Sequence, residues 1–126
     1  MRLRTPLARA RGVGSAKEGT GHWWAQRLTS LALVPLSLWF AASLLAIVGA
    51  DHASAVQWLQ SPLRATLLML LIAIAFHHGQ LGMQVVIEDY VAHEGVMVAA
   101  IILVKFLALL LSVACILAVL RIAVGM

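Results

Sequence analysis

Leu63-Arg64-Ala65-Thr66-Leu67-Leu68-Met69-Leu70-Leu71-Ile72-Ala73-Ile74-Ala75-Phe76-His77-His78-Gly79-Gln80-Leu81-Gly82-Met83-Gln84-Val85-Val86-Ile87 is almost wholly apolar, yet it carries two adjacent imidazoles. A bilayer core of about 30 Å needs about 20 mostly apolar residues per spanning helix, and this run satisfies that length. Residues 28–50 and 96–124 do so as well. The chain has 126 residues, 63% hydrophobic and 11% charged, and a mean hydropathy of +0.99. Soluble domains hold only about 45–50% apolar residues. We therefore expect an all-α integral membrane protein: an arm over residues 1–27, then a three-helix transmembrane domain over 28–126 with spans at 28–50, 63–87 and 96–124. The connections, at residues 51–62 and 88–95, leave no room for a soluble catalytic domain. Three helices alone enclose little of a cofactor or substrate, so partner chains are expected.

Charge sets the expected orientation. Arg2, Arg4, Arg9, Arg11, Lys17 and Arg27 are six of the nine Lys and Arg residues, and all precede or open the first span. Positive charge is retained on the cytoplasmic side, which places the N-terminus there, the C-terminus outside, and the 88–95 loop on the cytoplasmic face. The basic balance does not point to nucleic acid, because the charges lie in a juxtamembrane tail without a soluble fold. An Arg-rich, acid-poor start also fits a targeting peptide. Glu18 interrupts it, however, and Trp23-Trp24 form an interfacial aromatic belt running directly into the span, so a retained arm lying across a partner is the preferred reading. Gly12, Gly14, Gly19 and Gly21 argue against a continuous amphipathic helix in that arm.

Several chemistries find no support. Cys115 is alone and inside the third span, so neither a disulfide framework nor a cysteine metal site is expected. There is no phosphate-binding glycine loop, paired-histidine zinc signature or activated nucleophile. No repeat is visible at a useful period. Pro35 lies in the first span and removes a backbone donor, which a membrane helix tolerates when neighbours satisfy the freed carbonyl. It reads as a packing kink or a hinge.

The second span carries the chemistry. Ionisable residues in hydrocarbon are costly and usually face a bundle interior. His78 lies nine residues before Ile87, roughly 14 Å of helix rise, near mid-membrane depth. A neutral imidazole ligates haem iron well, and a flat macrocycle must approach the ligand's helix closely. Gly79 and Gly82 offer that clearance, with Gly82 one turn on from His78. Alternatively, the glycines admit a neighbouring helix and His78 hydrogen-bonds across the interface. His77 points about 100° away, so both histidines are not expected on one iron. Arg27, at the mouth of the first span, can offer five donors to carboxylates, propionates or a lipid phosphate. At the end of the second span, Tyr90 is either an interfacial anchor or a donor to a quinone carbonyl. Asp89 is either a loop charge or helix cap, or a proton relay with Glu88 and His93.

His78-Gly79-x-x-Gly82 followed by Gln84-Val85-Val86-x-x-Asp89-Tyr90-Val91 resembles the signature of the smaller hydrophobic membrane-anchor subunit of succinate dehydrogenase, the succinate:ubiquinone oxidoreductase of respiratory chains. The Gly14-Ser15-Ala16-Lys17-Glu18-Gly19 arm, His22-Trp23-Trp24 and Gln26-Arg27-Leu28-Thr29 are similar to the bacterial form, and the likeness covers nearly the whole chain. The resemblance implies half of a heterodimeric haem-binding bundle. His78 would be one axial ligand of haem b, the other coming from a companion anchor. Tyr90 and Asp89 would contribute to the ubiquinone site, and Arg27 would lie near the propionates. The expected partners are that anchor, an iron–sulfur subunit and a flavoprotein carrying FAD, in a bacterial inner membrane. The chain would be non-catalytic alone.

Against the resemblance, a shifted register would exchange His77 and His78; the spacing to Tyr90 favours His78. His22, His52 and His93 lie outside the expected hydrocarbon and match no haem role. Glu88 adds negative charge beside Asp89 and would raise that carboxyl's pKa by repulsion. An anchor of fumarate reductase or another quinone-linked dehydrogenase, and a structural or assembly protein without haem, remain as alternatives.

Overall fold

The computed structural model describes residues 16–126, with side chains from residue 20 onward. Four helices occur among the described residues: α1 (Ala16–Ile47), α2 (His52–Leu59), α3 (Pro62–Tyr90) and α4 (Glu94–Ala123). No strand accompanies them. Three are long and apolar enough to cross a membrane, over Thr20–Ile47, Pro62–Tyr90 and Glu94–Ala123. The fold is all-α and integral to the membrane.

Local chemistry explains the boundaries, and several depart from the expected ones. α1 begins at Ala16, so the later arm residues continue the first span as helix. Gly19 and Gly21, expected to interrupt helix, lie within it. Glycine lowers helix propensity by only about 1 kcal/mol, a deficit that a long helix absorbs. Gly12 and Gly14 lie outside the described residues. The chain leaves α1 where Gly49 adopts φ 83°, a left-handed conformation that favours glycine. α1 passes through Pro35 without ending.

The 51–62 connection is itself structured. Asp51 is extended and its carboxylate accepts from Ser54 N–H at 2.9 Å, capping α2. Hydrogen bonding from the Ser54 side chain, and then from its backbone N–H, holds the Asp51 carboxyl below the usual carboxylate range. Trp58 of α2 stacks on Trp39 of α1 at 6.0 Å, and the Arg64 guanidinium lies 5.5 Å from the Trp58 ring. α3 then starts on Pro62, whose missing N–H costs nothing in a first turn. It runs through Asp89 and Tyr90 rather than stopping before Glu88, and only Val91 to His93 separate it from α4. His93 caps α4, its Nδ1 accepting from Val96 N–H at 3.2 Å; Asp89 does not cap it. Glu94 in the first turn of α4 and Arg121 in the last both complement the helix dipole.

α3 is the middle element. It packs along α4 and along α1, whereas α1 and α4 have no extensive contact with each other. Such an arrangement encloses little. Ala65, Leu71, Leu81 and Ile87 of α3, with Val119 of α4, are the buried apolar residues among those described. Leucines such as Leu31, Leu38, Leu45, Leu109 and Leu110 are well exposed. Lipid tails are as apolar as leucine, so exposure costs little there, and close packing and polar contacts hold the helices together. The bundle has two ends. One, the arm end, carries Trp23, Tyr90 and Glu94; the other carries α2 and Arg121.

Candidate functional site

α1 is apolar over most of its length, but His22, Gln26, Thr29 and Ser30 recur at i, i+4, i+7 and i+8. That spacing puts them on one side of the helix, and the side faces α3. The decisive contact spans the two helices: Thr29 Oγ1 lies 2.9 Å from His78 Nδ1. The same hydroxyl is 2.7 Å from the Ala25 carbonyl and 3.0 Å from that of Gln26. A hydroxyl has one proton and two lone pairs. With its proton given to the carbonyls one turn back, its oxygen accepts from Nδ1–H. This assignment, which uses every contact, leaves the His78 Nε2 lone pair free.

Beside that imidazole lies a cavity of ≈ 530 Å³, lined by His22, Trp23, Gln26, Arg27 and Ser30 of α1 and by His78 and Val85 of α3. Ligand sites commonly occupy about 300–1,000 Å³. Two buried polar atoms here, His22 Nε2 and Gln26 Oε1, have no hydrogen-bond partner. A buried polar group left unsatisfied costs about 1–3 kcal/mol, so the arrangement is set for a further polar occupant. Ser30 is already committed, donating to the Gln26 carbonyl at 2.8 Å. Arg27 lies with its guanidinium carbon 5.2 Å from the Trp23 ring centroid, and Trp23 meets Trp24 edge-on at 5.0 Å.

The expected site residues fall into three places. His78, Arg27 and Gly82 share the α1 side of α3. A Cβ on Gly82 would come 3.9 Å from Gln26 Nε2, an ordinary contact, so Gly82 faces the polar stripe of α1 without being required for its approach. Gly79 faces the opposite side, in an apolar groove with Phe76, Met83 and Leu107. His77 lines another groove against α4, so the two histidines belong to different faces. Asp89 and Tyr90 form the last turn of α3 at the arm end. Tyr90 is 84% exposed, twelve residues and about 18 Å of rise from His78, and neither residue lines the His78 cavity. The relay partners expected for Asp89 are otherwise engaged: Glu88 accepts from Gln84 at 3.0 Å, and His93 caps α4.

Sequence reasoning passed over three residues of this site. His22 was expected outside the hydrocarbon and without a role, but the helical arm carries it into the cavity. Gln26 lines the cavity with it, and Thr29 meets the His78 ring from the same helix. The i, i+4, i+7, i+8 polar stripe was a legible signal for a common face; the pairing of Thr29 with a residue 49 positions later was not.

Residues 1–120 match the family model described as succinate dehydrogenase/fumarate reductase transmembrane subunit. The chain belongs to that family. It is similar to the succinate dehydrogenase hydrophobic membrane anchor subunit of Rickettsia bellii (strain RML369-C), 38% identical over 93% of this chain and 94% of the relative. The subunit of the same name from Rickettsia conorii (strain ATCC VR-613 / Malish 7) is 32% identical over 89% and 90%. That from Paracoccus denitrificans is 31% identical over 71% and 70%. No solved structure matches significantly. Membership in the transmembrane-subunit family makes the chain a membrane component of a larger complex, consistent with how little its helices enclose.

Proposed function

We propose that this chain is the smaller membrane anchor of a bacterial succinate:ubiquinone oxidoreductase, in which His78 would hold haem b and Tyr90 and Asp89 would form one wall of the ubiquinone-reduction site. The observation carrying this reading is the Thr29–His78 contact. Histidine ligands characteristically donate their second ring N–H to a hydroxyl, carbonyl or carboxylate, which fixes tautomer and ring orientation. A cavity with unsatisfied polar atoms lies beside the imidazole, so the residues present fit the group. His78 Nε2 would hold the iron, and Arg27, His22 and Gln26 offer polar contacts to the periphery. Bound there, haem supplies one-electron redox chemistry.

Oxidation of succinate to fumarate in a flavoprotein partner releases two electrons and two protons, and an iron–sulfur partner conducts the electrons to the membrane. Ubiquinone takes up two electrons and two protons to become the quinol. Tyr90, with an uncommitted hydroxyl at the arm end, donates a hydrogen bond to a quinone carbonyl and holds the ring at the membrane surface. Asp89, adjacent and solvated, passes protons from the cytoplasmic side. A companion anchor would supply the remaining haem and quinone contacts. The positive charge of the arm supports a cytoplasmic orientation of the arm end.

The test is purification of the complex with His78→Ala. Loss of the b-type reduced-minus-oxidised spectrum with the subunits still present is expected; an unchanged spectrum would defeat the assignment. The family description also covers fumarate reductases. Faster turnover with menaquinol and fumarate than with succinate and ubiquinone would move the chain to that side.

A further inference from the structure

On the far side of α3 from His78, a second cavity of ≈ 340 Å³ lies against α4, lined chiefly by His77, Gln80, Lys105 and Ser112 with Phe76 and Ala108. Its polarity is out of keeping with its depth. Lys105 lies eleven residues after Glu94, the first residue of α4, about 16 Å of rise into the bundle. His77 lies thirteen residues before Tyr90, the last residue of α3, about 20 Å in. The two helices run antiparallel, so both side chains reach similar depth. An intramembrane cation is expensive and is ordinarily paired. Lys105, His77 and Ser112 nevertheless make no side-chain hydrogen bond or ion pair with any described residue. Gln80 donates to Gln84 at 3.3 Å, which leaves its carbonyl oxygen open. Ser43 and Thr66, by contrast, return their hydroxyls to carbonyls one turn back.

We propose that this groove receives a transmembrane helix of a different chain, one carrying an Asp or Glu at mid-membrane depth that pairs with Lys105 and accepts from its ring of donors. Charge complementarity selects that occupant. The five acidic residues of this chain are Glu18, Asp51, Glu88, Asp89 and Glu94, all at or beyond the ends of the spans. Lys105 therefore has no counter-ion at its depth in its own chain, and a second copy could bring none. A lipid phosphate could meet only the arm-end rim, whereas the groove continues from Lys105 to Ser112, seven residues or about 10 Å deeper. The inference stands apart from the haem and quinone reading, because the groove lies on the other side of α3.

The test uses the intact complex in its native membrane, treated with a hydrophobic carbodiimide, which joins a carboxylate to a contacting amine as an amide. The chain has two lysines, Lys17 and Lys105, so a cross-linked Lys105 peptide is unambiguous by mass spectrometry. The expected product joins Lys105 to an Asp or Glu inside an apolar span of another chain. Lys105→Arg keeps that chain within twofold on purification in mild detergent while abolishing the cross-link. Lys105→Met lowers its recovery at least tenfold, with the b-type spectrum reporting the His78 side separately. A Lys105 adduct to lipid alone, or no adduct together with full recovery for Lys105→Met, would overturn the proposal. Should Lys105→Met fail to accumulate, the cross-link in the unaltered complex decides by itself.

Discussion

His78 and Thr29 form the smallest unit whose chemistry can be predicted. A hydroxyl receiving Nδ1–H orients the imidazole, and removing such an outer partner typically costs about 10- to 100-fold in metal-site affinity. On the proposed haem reading, Thr29→Val, which keeps the shape and removes the oxygen, should leave the b-type spectrum visible but speed haem loss to a competing acceptor about tenfold. Thr29→Ser should restore the unaltered rate. At the arm end, the proposed role of Tyr90 is a single hydrogen bond to a quinone carbonyl. Its loss is worth about 0.5–1.5 kcal/mol, so Tyr90→Phe should lower kcat/KM for ubiquinone roughly 2- to 12-fold. Succinate oxidation with a soluble artificial acceptor should not change. Equal loss of both activities would mean that Tyr90 supports assembly instead.

At the scale of elements, α2 is held by its cap and by the Trp39–Trp58 stack. Hydrogen bonding from Ser54 depresses the Asp51 carboxyl below its unfolded value. The cap's contribution is thus fully present above the unfolded pKa and disappears as pH falls through the folded one. Protection of the Ser54 amide, taken as intrinsic over observed exchange rate, should be high at neutral pH and fall only in acid below the ordinary aspartate range, while in Asp51→Ala it should be low throughout. α3 offers a packing test. Ala65 is 3% exposed, and forcing extra methylenes into a filled position costs about 1–3 kcal/mol. Ala65→Leu should lower the Tm of the purified complex, whereas Leu63→Ala, at a position 68% exposed, should leave the packing between spans unchanged.

At the scale of the whole molecule, a middle helix with one neighbour on each side leaves both flanks open, and each flank carries polar groups that no described residue satisfies. Orientation can be checked on the same scale. With Cys115→Ala as background, Ser54→Cys should react with a membrane-impermeant maleimide from the periplasmic side and His93→Cys should not; the reverse pattern would invert the topology. Length and apolar content by themselves determined the three spans, because burying an unpaired backbone in hydrocarbon allows little but helix. Spacing determined that His77 and His78 diverge, since consecutive residues differ by about 100° around a helix. The family signature was likewise legible from His78 to Tyr90. Sequence alone did not reveal α2, whose short helix depends on one cap and one aromatic stack, or the helical continuation of the arm that carries His22 inward. Only the tertiary structure decided which helix each face of α3 meets. It joined Thr29 to His78 and set Lys105 beside His77, because such pairings depend on how helices pack in space, and one-dimensional periodicity describes only a helix's own surface.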